Sequence, residues 1–278
     1  MDRKKYQFLT SRYFKSSRNN STNSQGVQLV SGKYIHLWKR FYFEAAHQLP
    51  NVHKGHMCGR MHGHSFQVVL FLGKKFNPNE NTLDYEKLVR VWSPIEEVLN
   101  YNCLNTIDGL SNPTSEMLSK WIWDRVIKQL PSLLCVSVYE TSSYGAHFNG
   151  EEFKIWKDFS FDSAIKIENT YPKYSRLHGH TFILGLNLVS PIDDVMGWTK
   201  DFGDVKEIFK PIMKMLDHQP LHETLELRRT DTLSIAQWIL KNTEKLLPEI
   251  NGIELYETRD CGVILKRESI GLVVPLLQ

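Results

Sequence analysis

Three histidines and one cysteine in this 278-residue chain have the types and spacing of a metal site: His47, Cys58, and His62-Gly63-His64. A His-x-His pair on a β-strand puts both imidazoles on one face, because side chains alternate with period two. If a strand ending at His47 pairs antiparallel with one starting at His62, the third imidazole approaches the same point. Three imidazoles with an open fourth position make a catalytic zinc site, since borderline Zn2+ suits neutral imidazole nitrogen. A lone His-x-His is as readily a hydrogen-bonded pair near a sheet edge, so His47 and the nearby thiol are what favour metal. Cys58 has three open readings. It is a fourth ligand closing a structural site, a nucleophile or base beside the metal with its pKa drawn toward thiolate, or an inert buried thiol. Cys103, Cys135 and Cys261 read as packing residues.

The elements that must position these groups are legible in outline. Leu37–Ala46 reads as an aromatic-rich strand, and Ser65–Leu72 as a second, largely buried one. Asp84–Leu99 has helical spacing, with Leu88, Val91, Ile95, Val98 and Leu99 as its apolar stripe and Pro94 as a possible kink. Asn112-Pro113-Thr114-Ser115-Glu116 reads as a helix start with an acid near the positive end of the dipole. That helix is predicted to run to about Gln129, ahead of Pro131. Cys135–Thr141 reads as a strand, with a return strand over Gly145–Asn149.

The same order then recurs. Phe43-Glu44-Ala45-Ala46 returns as Phe161-Asp162-Ser163-Ala164, and His62-Gly63-His64-Ser65-Phe66 as His178-Gly179-His180-Thr181-Phe182. Leu83-Asp84-Tyr85 resembles Lys200-Asp201-Phe202; Trp121-Ile122 matches Trp238-Ile239, and Tyr139-Glu140-Thr141 matches Tyr256-Glu257-Thr258. An offset steady to about one residue over a hundred positions is the mark of duplication. The expected organisation is a first domain over 33–151 and a second over 152–278, joined directly through Glu151-Glu152 and closely packed. Each is expected to be α+β, a four-stranded antiparallel sheet with two helices on one face.

Composition bounds the function. Hydrophobic residues at 41% support buried cores, and a net charge of +3 demands no nucleic-acid or membrane partner, though it suits an anionic substrate. No apolar run reaches the ~20 residues that a bilayer span needs. Four scattered cysteines without a CxxC pair read as free thiols of a reducing compartment, and the chain as cytoplasmic. Residues 1–32 hold six Lys/Arg and one acid and read as a disordered arm, or as a transit peptide.

The segments Phe43-Glu-Ala-Ala-His47, Cys58-Gly-Arg-Met-His62-Gly-His64-Ser-Phe66, Asn112-Pro-Thr-Ser-Glu116 and Glu140-Thr141 resemble the 6-carboxytetrahydropterin synthase / 6-pyruvoyltetrahydropterin synthase family. The two halves place about 240 residues within the resemblance. The three residues between Cys58 and His62 look like the bacterial queuosine-pathway branch. The resemblance implies two tandem domains of the T-fold, with sites at subunit interfaces of a hexamer of small subunits. A tandem chain then forms a homo-oligomer, a trimer of fused pairs. It also implies conversion of 7,8-dihydroneopterin triphosphate and water into 6-carboxy-5,6,7,8-tetrahydropterin, acetaldehyde and triphosphate. Zn2+ on His47, His62 and His64 and a proton-abstracting Cys58 would serve that reaction. Glu140 and Glu257, at strand ends, would anchor the pterin by accepting two N–H donors. Arg60 and Arg176 are candidates to meet the triphosphate.

The halves depart from the family pattern in complementary places. Where the pattern ends its first helix with Leu-Asp-His, the first half has Leu99-Asn100-Tyr101 and the second keeps Leu216-Asp217-His218. The second half has Ile165 in place of His47 and Tyr174 in place of Cys58. A site shared between halves would permit this loss, with Asp217 orienting His218 as a proton shuttle; His178 and His180 then read as a metal-free remnant. Rival expectations are the pyruvoyl synthase reaction on the same substrate, a zinc- or pterin-binding protein without turnover, and a structural partner of an intact homologue.

Overall fold

The computed structural model describes residues 34–75, 85–258 and 260–267. The basic arm over 1–32 and the Leu83-Asp84 repeat position lie outside these residues. In chain order the elements are β1 (Tyr34–His47), β2 (His62–Lys75), α1 (Tyr85–Leu99), β3 (Asn102–Cys103), α2 (Ser115–Val126), β4 (Leu133–Thr141) and β5 (Tyr144–Phe148). There follow β6 (Phe153–Ile165), β7 (His178–Val189), α3 (Phe202–Leu216), β8 (Gln219–Pro220), α4 (Leu221–Thr224), α5 (Thr232–Thr243), β9 (Ile250–Thr258) and β10 (Cys261–Lys266). The α+β architecture and its internal repeat follow the sequence expectation. The two predicted sheets, however, are one: the strands run β10-β9-β7-β6-β5-β4-β2-β1-β3, with β8 paired to β6.

Strand periodicity sets the layers. In β1, Phe41, Phe43, Ala45 and His47 are buried while Tyr42 and Glu44 are exposed. The run Val68–Leu72 is buried on both faces. Val68, Leu70 and Leu72 join the core beneath α1 and α2. Val69 and Phe71 join Cys135, Tyr139 and Trp156 on the other face. The second half builds an equivalent core beneath α3 and α5. In α1 the buried stripe is Leu88, Val91, Trp92, Ile95 and Leu99. Val98, expected in the stripe, is 43% exposed. Trp92 takes its share of the core by stacking on Phe41, with centroids 4.8 Å apart. Pro94 and Pro211 sit inside α1 and α3. The cap of helix α2 lies two residues later than Asn112: Thr114 is its N-cap, accepting the Met117 N–H at 3.1 Å. It ends at Val126, short of Gln129.

Among the described residues, two groups of hydrogen bonds bind the halves. In the first, β5 pairs antiparallel with β6 from Tyr144↔Lys157 to Phe148↔Phe153. Gly145 is required here, because a Cβ on it would lie 2.1 Å from the Val138 carbonyl oxygen and 2.4 Å from the Trp156 ring. In the second, the loop between β7 and α3 crosses to the first half. Asn51 Nδ2 donates to Val195 O at 2.5 Å, Asn112 Nδ2 to Met196 O at 2.6 Å, and Thr114 Oγ1 to Gly197 O at 2.5 Å. The N–H and hydroxyl of Thr199 both donate to Glu116 Oε1, at 2.8 and 3.0 Å. Glu116 is fully enclosed, and burial pushes its carboxyl up to about 7, against the lowering effect of the Thr199 bonds.

Gly145→Ala should destabilise the fold by about 1–3 kcal/mol through overpacking at the junction, read by denaturant unfolding. Glu116 makes a second prediction. Folded Glu116 holds its proton at pH values where the unfolded chain has released it, so its contribution to stability falls as pH rises from 4.5 to about 7. Glu116→Gln keeps an acceptor for both Thr199 donors and removes that penalty, on the order of 3 kcal/mol above pH 7. Thermal unfolding should show the variant gaining on the parent between pH 5 and pH 8.

Candidate metal centre and its divergent copy

The expected convergence of imidazoles is formed. β1 and β2 pair antiparallel with His47 opposite His62 and Ala45 opposite His64. Directly opposed residues share a face, so all three histidines stand on the helix-covered side, at the end of the sheet. The ring centroids of His47 lie 4.5 Å from His62 and 5.2 Å from His64. Phe66 packs edge-on against His47 and His64, at 5.5 Å from each. His47 Nδ1 lies 3.0 Å from Pro113 O, and His62 Nδ1 lies 2.8 Å from Arg60 O. A carbonyl only accepts, so both rings carry a proton on Nδ1; in the neutral form they keep a lone pair on Nε2, the state in which a histidine ligates metal.

Glu140, at the end of β4, closes the group. Its Oε1 is 3.4 Å from His47 Nε2 and 3.2 Å from His64 Nε2, and its Oε2 accepts from Ser115 Oγ at 2.6 Å. Burial would raise this carboxyl, but the contacts with His47 and His64 hold it well below the usual carboxylate range. One donor atom from each of His47, His62, His64 and Glu140 lies within 4.8 Å of the others. The Nε2 atoms of His47 and His64 are buried, make no regular hydrogen bond and face Glu140 Oε1. Buried polar atoms are rarely left so, and a ring of inward lone pairs suits a cation. Sequence reasoning placed Glu140 correctly at a strand end but missed that its carboxylate turns toward the imidazoles. Nothing in the spacing of residues 47, 64 and 140 signals that contact.

Cys58 lies in a 3-10 turn, Met57–Gly59, and is partly buried. Burial raises its thiol pKa, and the charges of Glu140 and Asp201 raise it further. The chain's own groups thus oppose the lowered pKa expected from the sequence. Arg60 and Arg176 are exposed, and their carbonyls rather than their guanidinium groups face the site histidines.

The second half reproduces the scaffold with altered contents. Ile165 pairs with His178 and Ser163 with His180, the registers of His47–His62 and Ala45–His64. His178 Nδ1 meets Arg176 O at 2.7 Å, as His62 meets Arg60. His180 Nε2 lies 3.3 Å from Glu257 Oε1, and Thr232 donates to Glu257 Oε2 as Ser115 does to Glu140. Ile165 is fully buried in the place of the third imidazole. Leu49 N–H donates to Cys58 O in one half and Ile167 N–H to Tyr174 O in the other, so Tyr174 occupies the backbone position of Cys58.

The Asp-His position is also conserved in backbone. Tyr101 and His218 both adopt positive φ, at 56°. Their N–H groups donate to Glu44 O and Asp162 O, each at 2.6 Å. Asn100 Oδ1 accepts the Glu44 N–H at 2.9 Å, and Asp217 Oδ1 accepts the Asp162 N–H at 3.0 Å. Asparagine therefore keeps the structural bond, and the first half lacks only the charge and the imidazole. His218 Nδ1 is 3.0 Å from Asp217 Oδ1, and the His218 side chain is 76% exposed. The Asp162 N–H and His218 together hold the Asp217 carboxyl below its usual range. Asp162, Asp217 and His218 form a cluster that shares no residue with the His47 group.

Comparison with known proteins agrees with this doubled geometry. The family model of 6-pyruvoyl tetrahydropterin synthase matches the chain twice, over residues 36–151 and 154–268. A 6-carboxy-5,6,7,8-tetrahydropterin synthase of Synechocystis is 35% identical over 119 residues, 40% of this chain and 91% of that one. A dihydroneopterin monophosphate aldolase of Pyrococcus furiosus is 33% identical over 112 residues, 38% of this chain and 91% of that one. The 6-pyruvoyl tetrahydropterin synthase of Caenorhabditis elegans superposes with a TM-score of 0.38 at 15% identity, covering 41% of this chain and 95% of that one. With both halves matched, and each carrying the same strand register, this chain belongs to the 6-pyruvoyl tetrahydropterin synthase family as a tandem pair of its domains.

Proposed function

We propose that this protein is a zinc-dependent pterin lyase. It takes 7,8-dihydroneopterin triphosphate and water to 6-carboxy-5,6,7,8-tetrahydropterin, acetaldehyde and triphosphate. The observation that carries the reading is the inward-facing set of His47, His62 and His64 with two orphaned Nε2 atoms, on the same half as Cys58. Three neutral imidazoles are a preferred donor set for catalytic Zn2+, which as a Lewis acid would polarise the substrate's side-chain oxygens. Relatives of similar identity named as a carboxytetrahydropterin synthase and as a dihydroneopterin monophosphate aldolase support chemistry on a dihydroneopterin phosphate.

The chain's own residues have distinct tasks in this proposal. Cys58 Sγ removes a proton from the substrate side chain. Glu140, held by Ser115, and Glu257, held by Thr232, would accept the paired N–H donors of a pterin, for which Glu140 Oε1 must turn from His47 and His64 toward the substrate. Asp217 fixes the tautomer of His218, which passes protons at Nε2. Among the described residues, His218 meets Asp217 and Asp162 and none of the three imidazoles, and we propose that the shared site forms between two copies of the chain.

The sheet supplies a way to bring copies together. Among the described residues, β10 is an outer strand and β1 is covered on its outer side by the two-residue β3 alone. β5 already pairs with β6, the last strand of one half with the first of the other. The equivalent pairing between chains joins β10 to β1, a head-to-tail contact that closes into a ring. We propose a trimer of tandem chains, pseudo-hexameric, acting in the cytoplasm, where the four free cysteines stay reduced. No helix among the described residues is long and apolar enough to cross a membrane.

Incubation with dihydroneopterin triphosphate and mass spectrometry of the products is the direct test. Acetaldehyde with the carboxy product is expected. A pyruvoyl product, or cleavage of the monophosphate alone, would replace the reaction while keeping the site, and no turnover of any of these would end the enzyme reading. Metal analysis should find about one zinc per chain. His62→Ala should lose it and remain folded, and Cys58→Ala should lose turnover and keep it. Release of zinc by Cys58→Ala would mean a closed, structural centre. His218→Ala should abolish turnover with zinc retained, and mixing it with Cys58→Ala chains should restore part of the activity if the site forms between copies.

A further inference from the structure

The turn that carries Cys58 is tied, through His56, to a residue from the other half of the chain. The 3-10 turn that carries it is N-capped by His56, whose Nδ1 accepts the Cys58 N–H at 3.2 Å. An accepting Nδ1 is unprotonated, so neutral His56 carries its proton on Nε2. That atom lies 3.3 Å from Asp201 Oδ2, with the two side chains 18% and 15% exposed. Asp201 is itself pinned, since its Oδ1 caps α3 by accepting the Asp204 N–H at 2.9 Å. The His56 ring is further bounded by Trp198, at a centroid distance of 6.1 Å, and by His53, edge-on at 5.3 Å. Asn51, earlier in the same loop, bonds Val195 O. The loop that presents the thiol is therefore fastened at both ends to the segment entering α3.

We propose that Asp201 is a positioning residue for Cys58. Acting through His56, it selects the imidazole tautomer that caps the thiol's turn, and so couples the second half to the chemistry of the first. This rests on the reading of Cys58 as the reacting thiol. The two oxygens of Asp201 divide the work: Oδ1 serves the helix and Oδ2 serves His56. A single isosteric change separates them. In Asp201→Asn the amide oxygen can still cap α3, but an NH2 group then faces the Nε2–H. The imidazole can answer only by moving its proton to Nδ1, where it confronts the Cys58 N–H. His56→Asn breaks the chain of contacts at its other link, because asparagine can cap the turn but is too short to reach Asp201.

Two measurements on the full-length, zinc-loaded protein test the proposal. The first is the iodoacetamide alkylation rate of Cys58, resolved by peptide mass spectrometry with Cys103 as internal reference. Asp201→Asn and His56→Asn should each change that rate several-fold, and the double variant should match the singles rather than add to them, since both cut one coupled path. The second is steady-state kinetics, in which each variant should lose about tenfold in kcat with little change in KM, as a misplaced reacting group would. Zinc content and thermal midpoint should match the parent. Unchanged Cys58 alkylation in Asp201→Asn, or strictly additive effects in the double variant, would overturn the proposal. Should the parent protein fail to turn over any pterin substrate, the lyase reading falls, while the alkylation cycle still decides whether Asp201 governs Cys58.

Discussion

The candidate site depends on one register, that of β1 against β2. With His47 opposite His62 and Ala45 opposite His64, three imidazoles share a face; a slip by one residue would send one strand's side chains to the other face. The register is secured from both sides of the sheet. Phe43 stacks on Phe66 at 4.9 Å on the core side, and Ser65 Oγ donates to Glu44 at 2.7 Å on the other. The buried aromatic pair thus sets the spacing of the imidazoles above it, and Phe66 also walls them from the core. The second half repeats this device with Phe161 on Phe182 at 5.0 Å.

Because the scaffold is duplicated intact, the differences between halves can be read as single chemical changes. Ile165 fills the His47 position with apolar volume and is fully buried, so it adds to the second core what it removes from a metal site. Asn100 in place of Asp217 retains the acceptor for the strand N–H, so the fold of that corner survives while its charge does not. In both halves the backbone bonds are the same where the side chains differ.

The halves are nonetheless not independent. Glu116, Thr114, Asn112 and Asn51 of the first half all bond the β7–α3 loop of the second. Pro113, whose carbonyl orients His47, and Ser115, which holds Glu140, lie within that fastened stretch. The second half therefore braces the helix start that supports the first half's imidazoles and carboxylate, whatever its own altered pocket contributes. Covalent fusion makes this bracing intramolecular, free of the concentration dependence that separate subunits would face.

Much of this protein follows from sequence because the relevant rules are local. Strand alternation puts His62 and His64 on one face, the steady offset reveals the duplication, and the Asn100-Tyr101 and Ile165 replacements can be read without coordinates. The elements were legible too, to within a few residues. What tertiary structure alone decided involves partners far apart in the chain. The β5–β6 pairing that fuses two sheets into one is made by backbone groups every residue possesses, so no residue type announces it. Trp92 rather than Val98 faces the core because the larger side chain reaches Phe41 across the helix–sheet gap. The turn of Glu140 toward His47 and His64, and of Asp201 toward His56, joins residues whose separations carry no periodic signal. Such contacts exist only once packing has brought the groups together, and their strength comes from proximity in a low-dielectric setting that the linear order of the chain does not encode.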